Sequence, residues 1–384
     1  MDTGLKQFLS RAPLVLLPLF SQACAAELET FSAEEQTRLV KTEAHEVAVS
    51  VVANGLKQAW SIAELPDASL LVTEKNGTLH HIEPDSGRAA FIEGLPESVS
   101  RGQGGLMDVR PHPDFTTNRW LYLSYTIDSG KDYATRVARG KLKDGRLENI
   151  EVIFTADPPR KSGRHFGSDL AFDDQGYLYI TSGERGSRPM IQDLTNHLGK
   201  IIRLRDTGAV PNDNPFIDVA GALPEIYTYG HRNPQGIAVD RKTGTLWSVE
   251  HGPRGGDELN RIEAGKNYGW PVITYGEEYR GGKIGEGTHK DGMEQPVYYY
   301  LPSIATSGMA IYHGEAFPQW RGNIFIGALV KTHLNRLVVE QGRVIHEERL
   351  LEDRNLRIRD VEVAADGSLY VLAAKGPLLK LTPP

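Results

Sequence analysis

The sequence is poor in cysteine, in long apolar runs, in surplus positive charge and in helical periodicity. One cysteine, Cys24, in 384 residues leaves no intrachain disulfide and no cysteine metal site. The one strongly apolar run, residues 12–20 (APLVLLPLF), spans nine residues and holds Pro13 and Pro18. That is far short of the ~20 residues a membrane-crossing helix needs, so no transmembrane segment is expected. Lys+Arg number 43 against 50 Asp+Glu, a formal charge of −7, which argues against a nucleic-acid partner. Almost no segment repeats its apolar residues at 3.6-residue spacing, which disfavours an α/β fold. A β-sandwich is the other competing architecture.

What the first residues do contain is an export pattern. Lys6 and Arg11 precede the apolar run, and small residues SQACAA follow at 21–26. A basic start, a short apolar stretch and an A-x-A-like cleavage site define a secretory signal peptide, assigned to residues 1–26. Cleavage would remove Cys24, and a thiol-free mature chain suits a periplasmic or secreted setting. The alternative is a lipid-modified N-terminus at Cys24, although Ser21, Gln22 and Ala23 lack the expected aliphatic residue. Residues 27–44 read as a tether into a domain at 45–384.

Past residue 45 one unit keeps returning: a Gly/Asp/Asn turn, a short apolar strand, a second turn, another strand. Its copies align at Leu70, Leu121, Leu178, Leu246, Ile324 and Leu369, spaced 45 to 78 residues apart. A repeat of this length in an all-β chain points to propeller blades of four strands. The last copy offers only about three strands, whereas HEVAVSVVANG (45–55) is a strand without a partner of its own. Pairing the two buries two lone edges. The expectation is an all-β, six-bladed propeller of four-stranded antiparallel blades, its ring closed by the N-terminal strand.

Function in such a ring sits where loops from several blades meet the channel. The glycine-rich or polar candidates carry Gln103, His165, Arg232 and Asn233, the turn EHGPRGGDELN (250–260) with Asp257 and Glu258, Lys331, and the Arg357/Arg359 pair. Taken singly each has a plainer meaning: a structural histidine, an exposed acidic turn, a solvated Arg-x-Arg face. Together, Arg232, Lys331, Arg357 and Arg359 are four cations on an acidic protein. If they converge, the natural ligand is a compact polyanion. Carboxylates beside carbonyls freed by glycine and proline also suit a hard cation such as Ca²⁺.

The run EHGPRGGDELN…KNYGWP, with GHRNPQG before it and RIRDVEVAADGSLYVL near the end, resembles the soluble aldose sugar dehydrogenases of the glucose/sorbosone dehydrogenase family, in order over residues ~47–381. The resemblance implies a six-bladed propeller that uses pyrroloquinoline quinone (PQQ) and Ca²⁺ to oxidise aldoses at C1 to lactones, passing electrons to an external acceptor. Residue by residue it implies that His165 is the general base and that Arg232 stabilises charge on the quinone oxygen. Asn233, Gln103, Tyr279, Arg357 and Arg359, with Ala328 and Lys331, match further PQQ contacts. The carbonyls of Gly252 and Pro253 match ligands of the PQQ-bound Ca²⁺, while Asp257, Glu258 and the Tyr268 carbonyl match a second, structural Ca²⁺ site.

Three departures stand out. Ala328-Leu329-Val330-Lys331 replaces the common Ala-Leu-Lys, Asp169 stands where an arginine is common, and Arg164 precedes His165 where glucose-specialised relatives carry aspartate. A Ca²⁺-dependent lactonase and a non-catalytic binding propeller remain alternatives on the same scaffold.

Overall fold

The computed structural model describes Met1, residues 29–30, 37–84 and 88–384. The export signal read at 1–26 lies, Met1 apart, outside the described residues. Among them, six antiparallel sheets form a six-bladed propeller, as the repeat predicts. The six aligned apolar positions all fall in the second strand of a blade, for example Leu70–Glu74, Tyr177–Ser182 and Leu369–Ala373. These strands are buried almost throughout because neighbouring blades cover both faces, while outer strands such as Arg146–Thr155 show mostly exposed residues.

Closure follows the expected route. Glu46–Leu56 pairs antiparallel with Gly376–Thr382 and completes the last blade. Arg38–Lys41, inside the stretch read as a tether, adds to the outer edge of Glu46–Leu56. Each interface between neighbouring blades holds its own apolar cluster. Ala63, Leu71 and Val109 meet between the first and second blades, and Trp247, Met309 and Ile326 between the fourth and fifth.

The first, channel-lining strand of every blade breaks register near its start, as between Ala59 and Ile62, Gly167 and Leu170, and Ile358 and Asp360. Such bulges re-aim side chains. Arg357 and Arg359 therefore do not share a face, as two-residue spacing alone suggests. Arg359 is buried within the bulge and Arg357 is exposed just before the strand.

Three carboxylates join adjacent blades through the channel. Asp108 accepts the Leu170 N–H at 2.7 Å, Asp169 that of Ile237 at 2.7 Å, and Asp360 that of Ile62 at 2.9 Å. Arg110 lies among them, 3.3 Å from Asp108, 3.9 Å from Asp169, 4.0 Å from Asp360 and 3.3 Å from Glu362. Burial raises Asp360 to about 6 and Glu362 to about 7 against the pull of Arg110. Removing the cation leaves buried like charges facing one another. Arg110→Met should cost about 3–5 kcal/mol in urea unfolding at pH 7. The cost should shrink toward pH 5, because Asp360 and Glu362 then take up protons and the surplus negative charge disappears.

Candidate active site

Segments preceding the first strands, and the ends of the second strands, converge at one mouth of the channel. His165 lies two residues before the strand Gly167–Phe172 with a left-handed backbone, φ 56°. Its N–H donates to Gln103 Oε1 at 2.6 Å. The backbones are in close approach here: a Cβ on Gly183 would lie 2.1 Å from the His165 carbonyl oxygen, so glycine is required.

The imidazole is oriented from behind. His165 Nδ1 lies 2.7 Å from Glu184 Oε1, and the Trp270 indole N–H donates to Glu184 Oε2 at 2.9 Å. A carboxylate only accepts, so the proton sits on Nδ1 and Nε2 presents a lone pair. Burial, reinforced by Arg232 and Arg164, lowers the His165 pKa against the opposing pull of Glu184. Burial acts to raise Glu184, but the hydrogen bonds from His165 and Trp270 hold it below the usual carboxylate range. The pair is thus a neutral base backed by a fixed anion.

Around it lies a positive hollow. Arg232 Nη1 donates to the carbonyls of His251 (2.9 Å) and Gly252 (2.8 Å), and its N–H to Glu250 at 2.6 Å. Arg359 lies over the Trp60 ring at 3.5 Å and donates to Gln235 at 3.1 Å. Burial lowers its pKa to about 10. Burial, with Arg232 and Arg359 the next causes, lowers His251 to about 3. Arg232 Nε, Asn233 Nδ2, Arg359 Nε and His251 Nε2 are buried without a partner. Three of these four are obligate donors, so the hollow calls for an acceptor-rich anion.

Beside the hollow, Glu250, Gly252, Glu258, Tyr268 and Thr274 help line a cavity with about 10 Å³ of room, enough for about one water-sized group. Burial and the nearby Glu250 carboxylate push Glu258 well up. A divalent cation would relieve that repulsion. Asp257 is spent on bracing: its oxygens accept the N–H of Gly252 (2.9 Å) and of Ala305 (2.6 Å). The Tyr268 hydroxyl accepts from Glu263 N–H and donates to the Arg261 carbonyl, leaving its own carbonyl as the group a cation can use. Among the described residues no three His, Cys, Asp or Glu side chains gather to hold a metal, so backbone oxygens must supply much of any coordination.

The other expected residues lie further out. Tyr279 is 67 % exposed on the rim, next to Glu278, whose carboxylate feels Arg232. Lys331 is exposed, Arg357 is exposed beside the buried Arg359, and Ala328 is fully buried at the end of the strand Ile324–Ala328. Pro253 is buried in the turn that Asp257 braces.

The sequence reading overlooked Glu184, Trp270, Lys75 and His251. Lys75 reaches the Gly102 carbonyl and has its pKa lowered by burial and by Arg359. A signal for Glu184 existed. His165 and Glu184 are 19 residues apart, and in the next blade His231 and Glu250 repeat both the spacing and the Nδ1–carboxylate contact, at 2.9 Å. His231, however, has its Nε2 on Thr228 and its ring stacked on Tyr268, which closes it to any ligand.

A propeller whose channel mouth joins a carboxylate-backed histidine to unpartnered donors is built to hold an acceptor-rich anion beside a base. The chain belongs to the Glucose / Sorbosone dehydrogenase family, matching it over residues 56–380. It is 45 % identical over 346 residues to the aldose sugar dehydrogenase YliI of Escherichia coli K12, covering 88 % of this chain and 93 % of that one. The crystal structure of the soluble aldose sugar dehydrogenase from Escherichia coli, in the apo form, superposes with a TM-score of 0.85 at 44 % identity, over 88 % of this chain and 100 % of that one. The PQQ-bound form of an aldose sugar dehydrogenase from Streptomyces coelicolor gives 0.73 at 28 % identity, over 88 % and 98 %.

Glu184 supports the charged form of His165. In Glu184→Gln, histidine NMR should therefore show His165 titrating lower still than in the parent; an unchanged or higher value would contradict the pairing.

Proposed function

We propose that the protein is a PQQ-dependent aldose sugar dehydrogenase that oxidises aldoses at C1 to the lactone. The observation that carries this reading is the set of unpartnered donors beside His165. Arg232 Nε, Asn233 Nδ2 and Arg359 Nε would meet the oxygens of a tricarboxylate quinone, with Gln103, Lys331, Arg357, Ala328 and Tyr279 as outer contacts. Family membership and the PQQ-bound relative support the same cofactor. Gly252 and Pro253 carbonyls would hold one Ca²⁺ beside it; Glu258 and the Tyr268 carbonyl would hold a second, on the turn that Asp257 braces.

When bound, PQQ supplies the two-electron acceptor for hydride from C1, and Ca²⁺ polarises it as a Lewis acid. The protein supplies position and proton transfer. His165 Nε2 takes the proton of the C1 hydroxyl, a step worth ~10²–10⁴ in rate. Glu184, 2.7 Å away, keeps the imidazole in the right tautomer and stabilises the cation that forms. Arg232 presents fixed positive charge where negative charge develops, and a buried site strengthens that term. The electrons then go to an external acceptor.

The lactonase alternative needs free channel carboxylates around a metal. Here Asp108, Asp169 and Asp360 are engaged with backbone N–H groups and Arg110. We further infer export through a signal peptide at 1–26, with the propeller running from 45 to 384.

Purified protein given PQQ and Ca²⁺ should reduce an artificial dye with aldoses, and no turnover on any aldose rejects the proposal. His165→Ala should lose ~10²–10⁴ in kcat while retaining PQQ binding by calorimetry. Because the His165 pKa is lowered, kcat/KM should hold level from pH 7 upward and fall only on acidification, as the base takes up a proton. Ca²⁺ at 100-fold over its Kd should add ~2.7 kcal/mol of stability, read as a higher Tm, and Glu258→Gln should diminish that gain.

A further inference from the structure

The rim above blades four to six carries positive charge that the chain does not neutralise. Arg280, Lys331, Arg357 and Lys375 have no ion pair or hydrogen bond from their side chains among the described residues; Lys331 and Arg357 are also outer contacts of the proposed cofactor, so in the holoenzyme Arg280 and Lys375 are the pair left uncompensated. The carboxylates interspersed with them are all paired. Glu277 meets Arg254 at 3.4 Å, Glu347 and Glu352 meet Arg349 at 3.0 and 3.8 Å, and Glu278 meets Arg188. The local surplus is therefore positive on a chain whose formal charge is −7.

These cations lie along one continuous arc. Arg254 bridges by backbone to Glu277, three residues before Arg280. A Cβ on Gly255, next in sequence to Arg254, would lie 2.5 Å from Leu301. The N–H groups of Val330 and Lys331 both point to the Ile304 carbonyl, at 3.0 and 3.4 Å. Thr332 donates to Asn355 at 3.1 Å, and the Ala374 N–H donates to the Arg357 carbonyl at 2.8 Å, which sets Lys375 beside Arg357. Between the charges stand exposed apolar groups: Leu301 and Val330 at 59 % each, Tyr279 at 67 %. Leu301 and Lys331 also line a groove of about 660 Å³. The arc borders the active-site mouth at both ends, through Glu278, which feels Arg232, and through Arg357, which acts on Arg359.

We propose that this arc is the docking surface for an acidic electron-carrier protein that re-oxidises the cofactor, an inference that rests on the function proposed above. Oxidation of one aldose to its lactone releases two electrons and two protons. Two one-electron carriers of the cytochrome class would each take one electron, ferric to ferrous, and the two protons would pass to water. Arg110 and its carboxylates occupy the channel behind the hollow, so a protein acceptor would reach a cofactor held there from the rim. Uncompensated cations around scattered apolar groups match what a transient redox partner with the opposite charge requires: steering over distance and a small desolvated centre.

The test uses holoenzyme, one aldose and three acceptors: a small neutral dye, a purified acidic c-type cytochrome, and a basic cytochrome c of similar potential. The acidic cytochrome should be reduced faster than the basic one at low salt. Its second-order rate should fall at least about tenfold as ionic strength rises from about 10 to 200 mM. The double variant Arg280→Glu/Lys375→Glu should lower that rate by about tenfold at low salt, leaving dye turnover and Tm unchanged. Dye turnover with equal rates for both cytochromes, no salt dependence, or no effect of a folded double variant overturns the docking surface alone. A concentration-dependent dimer in sedimentation that the double variant abolishes overturns it in favour of a second copy of this chain. Absence of dye turnover overturns the proposed function and this inference together. The acidic-versus-basic comparison and the salt dependence need no variant, so they decide the matter even if the variant misfolds.

Discussion

Every channel-lining strand of a propeller has one edge with no neighbouring strand, and polar groups there must find partners or leave a costly gap. In this protein the gap is filled from the next blade: Asp108, Asp169 and Asp360 each accept an N–H from the following first strand. Small residues make room for this reach. A Cβ on Gly308 would lie 1.9 Å from an Asp360 oxygen. The same carboxylates accumulate negative charge in a narrow space, and Arg110 keeps the ring from repelling itself apart. Blade-to-blade geometry, and so the spacing of everything at the mouth, rests on this arrangement.

At the mouth the same accounting is left open. Arg232, Asn233 and Arg359 are as buried as the channel aspartates, yet each keeps an atom without a partner, as does the half-buried His251. Leaving a buried donor unmade costs roughly 1–3 kcal/mol, so several at one point are unfavourable unless a ligand completes them. The two His–carboxylate pairs sharpen the contrast. His165 and His231 sit at equivalent places in consecutive blades with equivalent Nδ1 partners. Thr228 and Tyr268 close the second ring, whereas His165 keeps Nε2 for chemistry. One scaffold position thus yields a structural histidine in one blade and a base in the next, decided by what covers the far nitrogen.

The ring was legible because its signals are local and repeated: apolar second strands bounded by tight turns, and a spare N-terminal strand of the right length to close the last blade. His165, Arg232 and Asn233 were legible as polar residues held just ahead of strands. Glu184 showed itself only through the 19-residue spacing from His165 that His231 and Glu250 repeat. Lys75 was not legible, because it is an ordinary polar residue at a strand end whose partner comes from a different loop. Trp270 was hidden for the same reason: its indole reaches Glu184 across 86 residues of chain. The Arg357/Arg359 pair shows a different limit. Two-residue spacing predicts a shared face only while register holds, and the bulge between Ile358 and Asp360 turns one arginine into the core and leaves the other at the rim.

That bulge also explains how an acidic chain maintains a positive hollow. Arg359 is buried against Trp60 with its pKa lowered to about 10, so it remains charged near neutral pH despite the desolvation. The aromatic face, the Gln235 oxygen and the aspartates deeper in the channel supply enough compensation for the guanidinium to stay ionised without a direct ion pair. A carboxylate in contact with it would neutralise the field a polyanion needs. Separation of the channel aspartates from the mouth cations, rather than the net charge of either, gives the hollow its sign: the same residues packed as contact pairs would have produced a stable ring with no capacity to bind.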